Sequence, residues 1–186
     1  MDVFEAIRGR RSIRKYKPDP VSEEQLNAVL EAARWAPSWA NTQCWNFVVV
    51  RDAQLKERLA DTLDLTNPAI AAIKGAPILI VACAERGRAG YKRGEAVTDK
   101  GDWLMFDVAL AMQNLALAAY ALGLGTVHVG LFDAQKVVQI LDIPQDMAVV
   151  EMMPLGYPAE QPGAPRRKEL GDFVFFEKLG RVNTEG

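Results

Sequence analysis

The chain has 186 residues, 49% of them hydrophobic and 25% charged, and a formal net charge of -2. That length and composition fit one globular domain over residues 1-186 with a sizeable core, and exclude a disordered or low-complexity chain. A sequence pI near 5.5 argues against a general nucleic-acid binder. Cys44 and Cys83 have no paired-ligand spacing, which argues against a disulfide scaffold or a zinc site.

Val3, Phe4 and Ile7 predict a short amphipathic helix that ends at Gly9. Acids near Met1 do not suit a signal peptide, and no segment reaches the roughly 18 uncharged apolar residues of a membrane span. A cytoplasmic protein with no membrane or nucleic-acid partner is therefore expected. The next stretch, Arg8 to Lys17, carries Arg8, Arg10, Arg11, Arg14, Lys15 and Lys17 of the chain's 22 Lys and Arg. If it runs extended, Arg10, Ser12 and Arg14 share one face, and guanidinium forks beside a hydroxyl suit a phosphate. On these residues alone, a solvated basic patch is the reading a charge run usually takes.

Ser22-Glu23-Glu24-Gln25 is a capping box that opens a helix carrying Leu26, Val29, Leu30 and Ala33, stopped by Pro37. The polar loop Pro37 to Trp45 leads into a strand over Asn46–Val50. A helix from Asp52 buries Leu55, Leu59 and Leu63, and Asn67-Pro68 starts another that Gly75 follows. Pro77–Ala84 reads as a strand buried on both faces, and Glu85 to Lys100 as a mobile, charged surface loop. From Asp102 a long helix sets Met105, Val108, Met112, Leu115, Ala116, Ala119 and Leu122 in one broad stripe. Gly123-Leu124-Gly125 ends it. Thr126–Phe132 is a further strand, Asp133 caps a helix, and Met147–Leu155 is the next strand. After a Pro-rich loop that ends in Arg166-Arg167-Lys168, the apolar run Asp172–Glu177 predicts a terminal strand in need of a partner.

His128 is the only histidine, so no Ser-His-Asp or Cys-His arrangement is at hand. Gly123-Leu124-Gly125 follows a helix and lacks the third glycine of a dinucleotide fingerprint. With no protein acid, base or nucleophile in view, a bound cofactor is the natural carrier of any reaction.

Arg10-Arg11-Ser12-Ile13-Arg14 resembles the RRSxR motif of the FMN-dependent nitroreductase family. Pro37-Ser38-Trp39-Ala40-Asn41-Thr42-Gln43-Cys44-Trp45 resembles its PSxxNxQPW loop, with Cys44 where the family has proline. Asp107, Gln113-Asn114-Leu115 and Gly123-Leu124-Gly125-Thr126 resemble its central helix and exit turn, and Gly156-Tyr157-Pro158-Ala159-Glu160 with Arg166-Arg167-Lys168 its closing segments. The resemblance implies an α+β fold: a mixed, mostly antiparallel central sheet flanked by helices, with the C-terminal strand exchanged in a homodimer that holds FMN at its interface. It implies NADH or NADPH as electron donor and a nitroaromatic, quinone or similar small oxidant, in a ping-pong exchange. It also implies that Arg10, Ser12, Arg166, Arg167 and Lys168 hold the phosphate and that Arg11 and Arg14 line the flavin. Pro37, Ser38, Trp39 and Asn41 would reach it from the other subunit, and Asn67 and the Val129-Gly130-Leu131 backbone would touch its ring. The alternatives are a non-catalytic flavin- or nucleotide-binding regulatory module, or a specialised member such as a reductive dehalogenase or flavin-fragmenting enzyme.

Overall fold

The uncharged run after Pro77 becomes the middle of the sheet, because only a strand covered on both faces can bury seven consecutive residues from Ile78 to Ala84. The computed structural model describes residues 1–180. In chain order they form α1 (Val3–Gly9), α2 (Glu23–Arg34), β1 (Trp45–Val50), α3 (Ala53–Ala60) and α4 (Ala69–Gly75). Then follow β2 (Ile78–Glu85), β3 (Tyr91–Lys92), β4 (Glu95–Ala96), α5 (Leu104–Ala121), β5 (Gly125–Thr126), α6 (Ala134–Leu141) and β6 (Met147–Gly156). The main sheet has the order β1-β2-β6-β5 with every named pair antiparallel. A single parallel bridge, Ser12 to Thr126, makes it mixed. The fold is the expected α+β class.

Two cores lie on the two faces. On one, Leu26, Val29 and Ala33 of α2 meet Met112, Leu115 and Ala119 of α5 over Ile78, Ile80 and Met153. On the other, Leu59, Ile73 and Val137 from α3, α4 and α6 pack on Leu79, Val81 and Met152. Fully burying each such aliphatic side chain contributes roughly 1.5–3 kcal/mol. The Ser22 capping box forms as the sequence predicts, and a second one, Asp2 with Glu5, opens α1. By length and composition α5 could cross a membrane, but it packs against α2 and the sheet and carries a buried Asp107, so it is a core helix.

Several expectations need correction. Asp172–Glu177 is not a strand: a 3-10 turn at Leu170–Asp172 leads into irregular chain, with Phe173, Val174 and Phe176 exposed. An apolar terminal run has no local strand partner to pair with, so it stays outside the sheet of one chain. No strand exchange is seen in the single chain. Thr126–Phe132 is extended only at its start, where β5 pairs with β6, and at Val129, which bridges Met152. The Glu85–Lys100 loop is ordered by the β3–β4 hairpin, by Gly87 N donating to Asp102 Oδ2 and by Trp103 Nε1 donating to Thr98 Oγ1. On α5, Met105 and Leu122 of the expected stripe are exposed, and α1 turns Val3, Phe4 and Ile7 outward. The sequence period is right there, but one chain does not cover the stripe.

Candidate cofactor site

The basic stretch leaves α1 at Arg10, whose N–H still donates to Ala6 O, and then runs extended along the sheet end. Ile13 N donates to Thr126 O at 2.9 Å, Lys17 N to Tyr157 O at 2.9 Å, and Ala159 N to Lys15 O at 2.9 Å. Glu160 Oε1 accepts from Arg14 N at 2.6 Å and from Lys15 N at 3.2 Å. Gly125 permits the approach, since a Cβ there would stand 2.7 Å from Ile13 Cγ1. The Tyr16 hydroxyl donates to Ile13 O at 2.7 Å, and burial, then Glu160, pushes its pKa upward against a smaller opposing effect of Arg14.

This lacing aims the guanidinium groups at the Pro-rich segment that returns from the far end of the chain. Arg10, Arg11, Ser12, Arg14 and Arg167 line one cavity of about 300 Å³ with Pro162, Gly163 and Pro165. A neighbouring cavity of about 460 Å³ adds Ile13, Ala116, Tyr120, Leu124 and Thr126, with Glu160 on its rim. Arg11 is tied back, its Nη1 donating to Arg8 O at 2.6 Å and Arg10 O at 2.8 Å. Arg10 differs. Its Nη1 is buried and, among the described residues, has no hydrogen-bond partner. Burial, then the like charges of Arg11 and Arg167, hold its pKa below the ordinary arginine value. Thr126 Oγ1, also buried, likewise lacks a partner among the described residues. A half-buried guanidinium crowded by cations, with one buried donor left unpaired, is unfavourable unless an anion completes it. The chemistry of this donor set fits a phosphate group, because a phosphate oxygen offers both the countercharge and the acceptor.

In the basic cluster at the C-terminal side, Arg167 lines the cavity of Arg10 and also shares a second depression with Arg166, Lys168, Glu169 and Asp172. Asn67 and Leu131 come together, Asn67 Nδ2 donating to Leu131 O at 3.3 Å, while Asn67 Oδ1 accepts from Ala69 N at 2.9 Å. Val129 is buried, and Gly130 and Leu131 are exposed beside it. His128 Nδ1 stands 2.9 Å from the Glu151 carboxylate, an ion-pair or hydrogen-bond role in keeping with a strand-edge histidine.

The Pro37–Asn41 loop is elsewhere. Trp39 N donates to both carboxylate oxygens of Asp107, at 2.9 and 3.1 Å, Thr42 Oγ1 lies 3.4 Å from Asp107 Oδ2, and Cys44 Sγ 3.8 Å from it. Asp107 is 0% exposed. Three residues that are not glycine, Ala40, Asn41 and Gln43, have positive φ of 46°, 56° and 47°. Each left-handed residue costs roughly 1–2 kcal/mol. Gln43 N donates to Ser38 Oγ at 2.9 Å and Gln43 Nε2 to Asn41 Oδ1 at 3.2 Å, so these two amides tie the loop together. Asp107 lies in the first turn of α5, whereas Tyr120 near its end lines the larger cavity, roughly 20 Å along the axis at 1.5 Å per residue. One chain therefore does not bring Pro37, Ser38, Trp39 and Asn41 to Arg10.

Sequence reasoning treated Asp107 and Glu160 as landmarks and missed their work. The signal was present for Asp107: an acid flanked by Phe106 and Val108 in an Ala-, Leu- and Met-rich helix has to be buried and paired. Thr126 carried no comparable signal.

The family model described as the Nitroreductase family matches residues 7–72 and 64–157. The chain belongs to this family. A protein of Methanothermobacter thermautotrophicus, provisionally named NADH dehydrogenase/NAD(P)H nitroreductase, is 37% identical over 167 residues, covering 88% of this chain and 81% of its own. The 5,6-dimethylbenzimidazole synthase of Rhodospirillum rubrum is 32% identical, covering 87% of this chain and 84% of its own. Among solved structures, the FMN-dependent nitroreductase of Clostridium difficile R20291 superposes with a TM-score of 0.79 at 26% identity, over 95% of this nitroreductase-family chain and 100% of that one.

Proposed function

We propose that this nitroreductase-family protein is an FMN-dependent oxidoreductase that passes electrons from NADH or NADPH to nitroaromatic, quinone or similar small oxidants. The observation that carries the reading is the buried, unpartnered Arg10 Nη1 in a cavity it shares with Arg11, Ser12 and Arg167. Relatives whose names include FMN-dependent nitroreductase and NAD(P)H nitroreductase support the choice of flavin and donor. Bound FMN would supply the hydride acceptor and donor, so no protein nucleophile is required.

The residues' work is binding and charge. Arg10 and Arg167 hold the phosphate, Ser12 adds a hydroxyl, and Arg11 lends positive charge while its own donors stay on the backbone. Glu160 fixes the main chain at Arg14 and Lys15, which keeps the Arg14 guanidinium near the same cavity. A cation there favours negative charge on a neighbouring ring. Pro37, Ser38, Trp39 and Asn41 complete the site from a second copy in a homodimer, a reading supported by the length of α5 between them and Arg10. The exposed apolar residues of α1, the first turn of α5 and the terminal run are the surfaces such a dimer would cover. Donor and oxidant take turns in the same space, and the β3–β4 hairpin is where oxidant choice resides.

Purified protein is expected to be yellow, or to become so with FMN, and to bleach with NADH or NADPH without oxygen. Colourless protein that takes up no FMN would sink the proposal. Flavin reduced only over hours would favour a regulatory module. The second reading is a flavin-fragmenting enzyme, and a protein named as a synthase, 5,6-dimethylbenzimidazole synthase, stands among the relatives. Recovering the flavin intact after many turnovers with a quinone speaks against it.

A further inference from the structure

We infer that Asp107 is a positioning residue for the cofactor site of the partner subunit, holding the Trp39–Cys44 segment in a conformation it would not keep unaided. The inference rests on the reading that Ser38, Trp39 and Asn41 serve a second copy's site. Asp107 never approaches Arg10, because α5 separates them, and it acts only through the loop it anchors.

The local energetics point one way. Ala40, Asn41 and Gln43 all occupy the left-handed region, and alanine has no side-chain hydrogen bond to offset that conformation. Asn41 and Gln43 hydrogen-bond each other at the surface, which stiffens the loop but fixes it to nothing else. The side-chain hydrogen-bond tie to the core is the Asp107 carboxylate, which takes the Trp39 N–H with both oxygens and lies near Thr42 Oγ1 and Cys44 Sγ; the end of the segment is also held by Glu85 N donating to Cys44 O. Backbone strain of this kind persists where the surroundings over-determine it, and it gathers at functional sites. Thr42 and Cys44 leave the carboxylate on one side, and Val108 and Ala111 continue the same helix into the core, so Asp107 has no solvent-facing alternative. The cysteine is a neighbour and not a reactive group: burial, then Asp107, pushes its thiol up to about 12.

The test compares loop order with flavin binding in the full chain. In flavin-stripped protein, amide exchange at Trp39 to Cys44 should quicken at least tenfold in D107A and much less in D107N, whose carboxamide oxygen still accepts from Trp39 and whose amide can donate to Thr42. FMN dissociation constants should follow: about tenfold or more weaker for D107A, the worth of one charge-assisted hydrogen bond, and within about threefold of wild type for D107N. Adding A40G to D107A should recover about fivefold, because glycine adopts the left-handed region without the alanine penalty. A loss of core stability alone would not be rescued there. Should D107A fail to fold, A40V serves instead: Ala40 is exposed, so the valine strains the loop and leaves the core intact. It should weaken FMN binding with an unchanged melting temperature. Unchanged exchange in D107A, or in A40V where D107A does not fold, overturns the inference, as does an opened loop with unaltered FMN affinity. Wild-type protein that binds no FMN would instead refute the cofactor reading, while the exchange arm would still decide whether Asp107 holds the loop.

Discussion

The two halves of the proposed site are unlike in how they are satisfied. At Arg10 three cations converge, a buried donor has no partner among the described residues, and burial and the neighbouring cations both disfavour the charge. At Trp39 the opposite holds: one buried carboxylate takes the same N–H twice, with two further donors nearby. The first half is shaped to receive an anion and is unfavourable without one. The second is complete within the chain and is shaped to be presented to something else. Binding energy and preorganisation are thus supplied by different stretches, one laced to Thr126, Tyr157 and Glu160 and the other anchored on Asp107 of α5.

The largest expected effect breaks the first half. Arg10→Met should weaken FMN binding by about ten- to a hundredfold, the loss of one or two charge-assisted hydrogen bonds, measured by flavin fluorescence titration. Its melting temperature without flavin should not fall and should even rise, because an unpaired buried charge is removed. A large loss of stability would mean that Arg10 has a structural partner.

Second in size is the tether. Glu160→Ala leaves the Arg14 and Lys15 N–H groups to solvent and should cost about 1–2 kcal/mol, seen as a lower melting temperature and faster exchange at those two amides. If only FMN affinity changes, Glu160 belongs to the ligand and not to the scaffold. Smaller again is the electrostatic effect of Arg14. Arg14→Ala should lower the two-electron midpoint potential by about 20 mV, equivalent to about 1 kcal/mol, and Lys15→Ala should change it less. Equal shifts would remove the distinction between the two.

A last effect, confined to alkaline pH, concerns the thiols. Burial pushes Cys83 up to about 11, and burial with Asp107 pushes Cys44 up to about 12, so both stay protonated in the fold where the unfolded chain ionises near 8.5. A raised thiol pKa means stability is whole below the unfolded value and is lost as pH climbs through the window towards 11–12. The melting temperature should drop more steeply above pH 9 in wild type than in C44A/C83A, and parallel curves would contradict these shifts.

How much of this was legible in the chain depends on whether the deciding contact is local. The capping box at Ser22 and the buried strand after Pro77 are short-range patterns, and the structure realises them; Arg10, Ser12 and Arg14 line one cavity, but so does Arg11, which simple alternation would turn away. Asp172–Glu177 misled because β propensity and apolarity describe a strand only where the run reaches a sheet edge, and this one pairs with neither edge of the β1-β2-β6-β5 sheet. The same limit applies to Met105, Leu122 and the α1 residues, whose apolar faces are real but open. Arg166, Arg167 and Lys168 line one depression together, and of the three Arg167 also lines the cavity of Arg10. The Glu85–Lys100 hairpin was hidden because its order comes from Trp103 and Asp102, which lie beyond it.

The most direct test asks whether the two halves of one site come from two chains. Differently tagged R10M and D107A chains are coexpressed, the mixed dimer is isolated, and FMN is titrated into it. Each parent dimer has two impaired sites, but the mixed dimer should bind one FMN per dimer with wild-type affinity, because one of its sites receives both defects and the other neither. No tight binding in the mixed dimer would mean that both halves act within a single chain, and the account would be wrong.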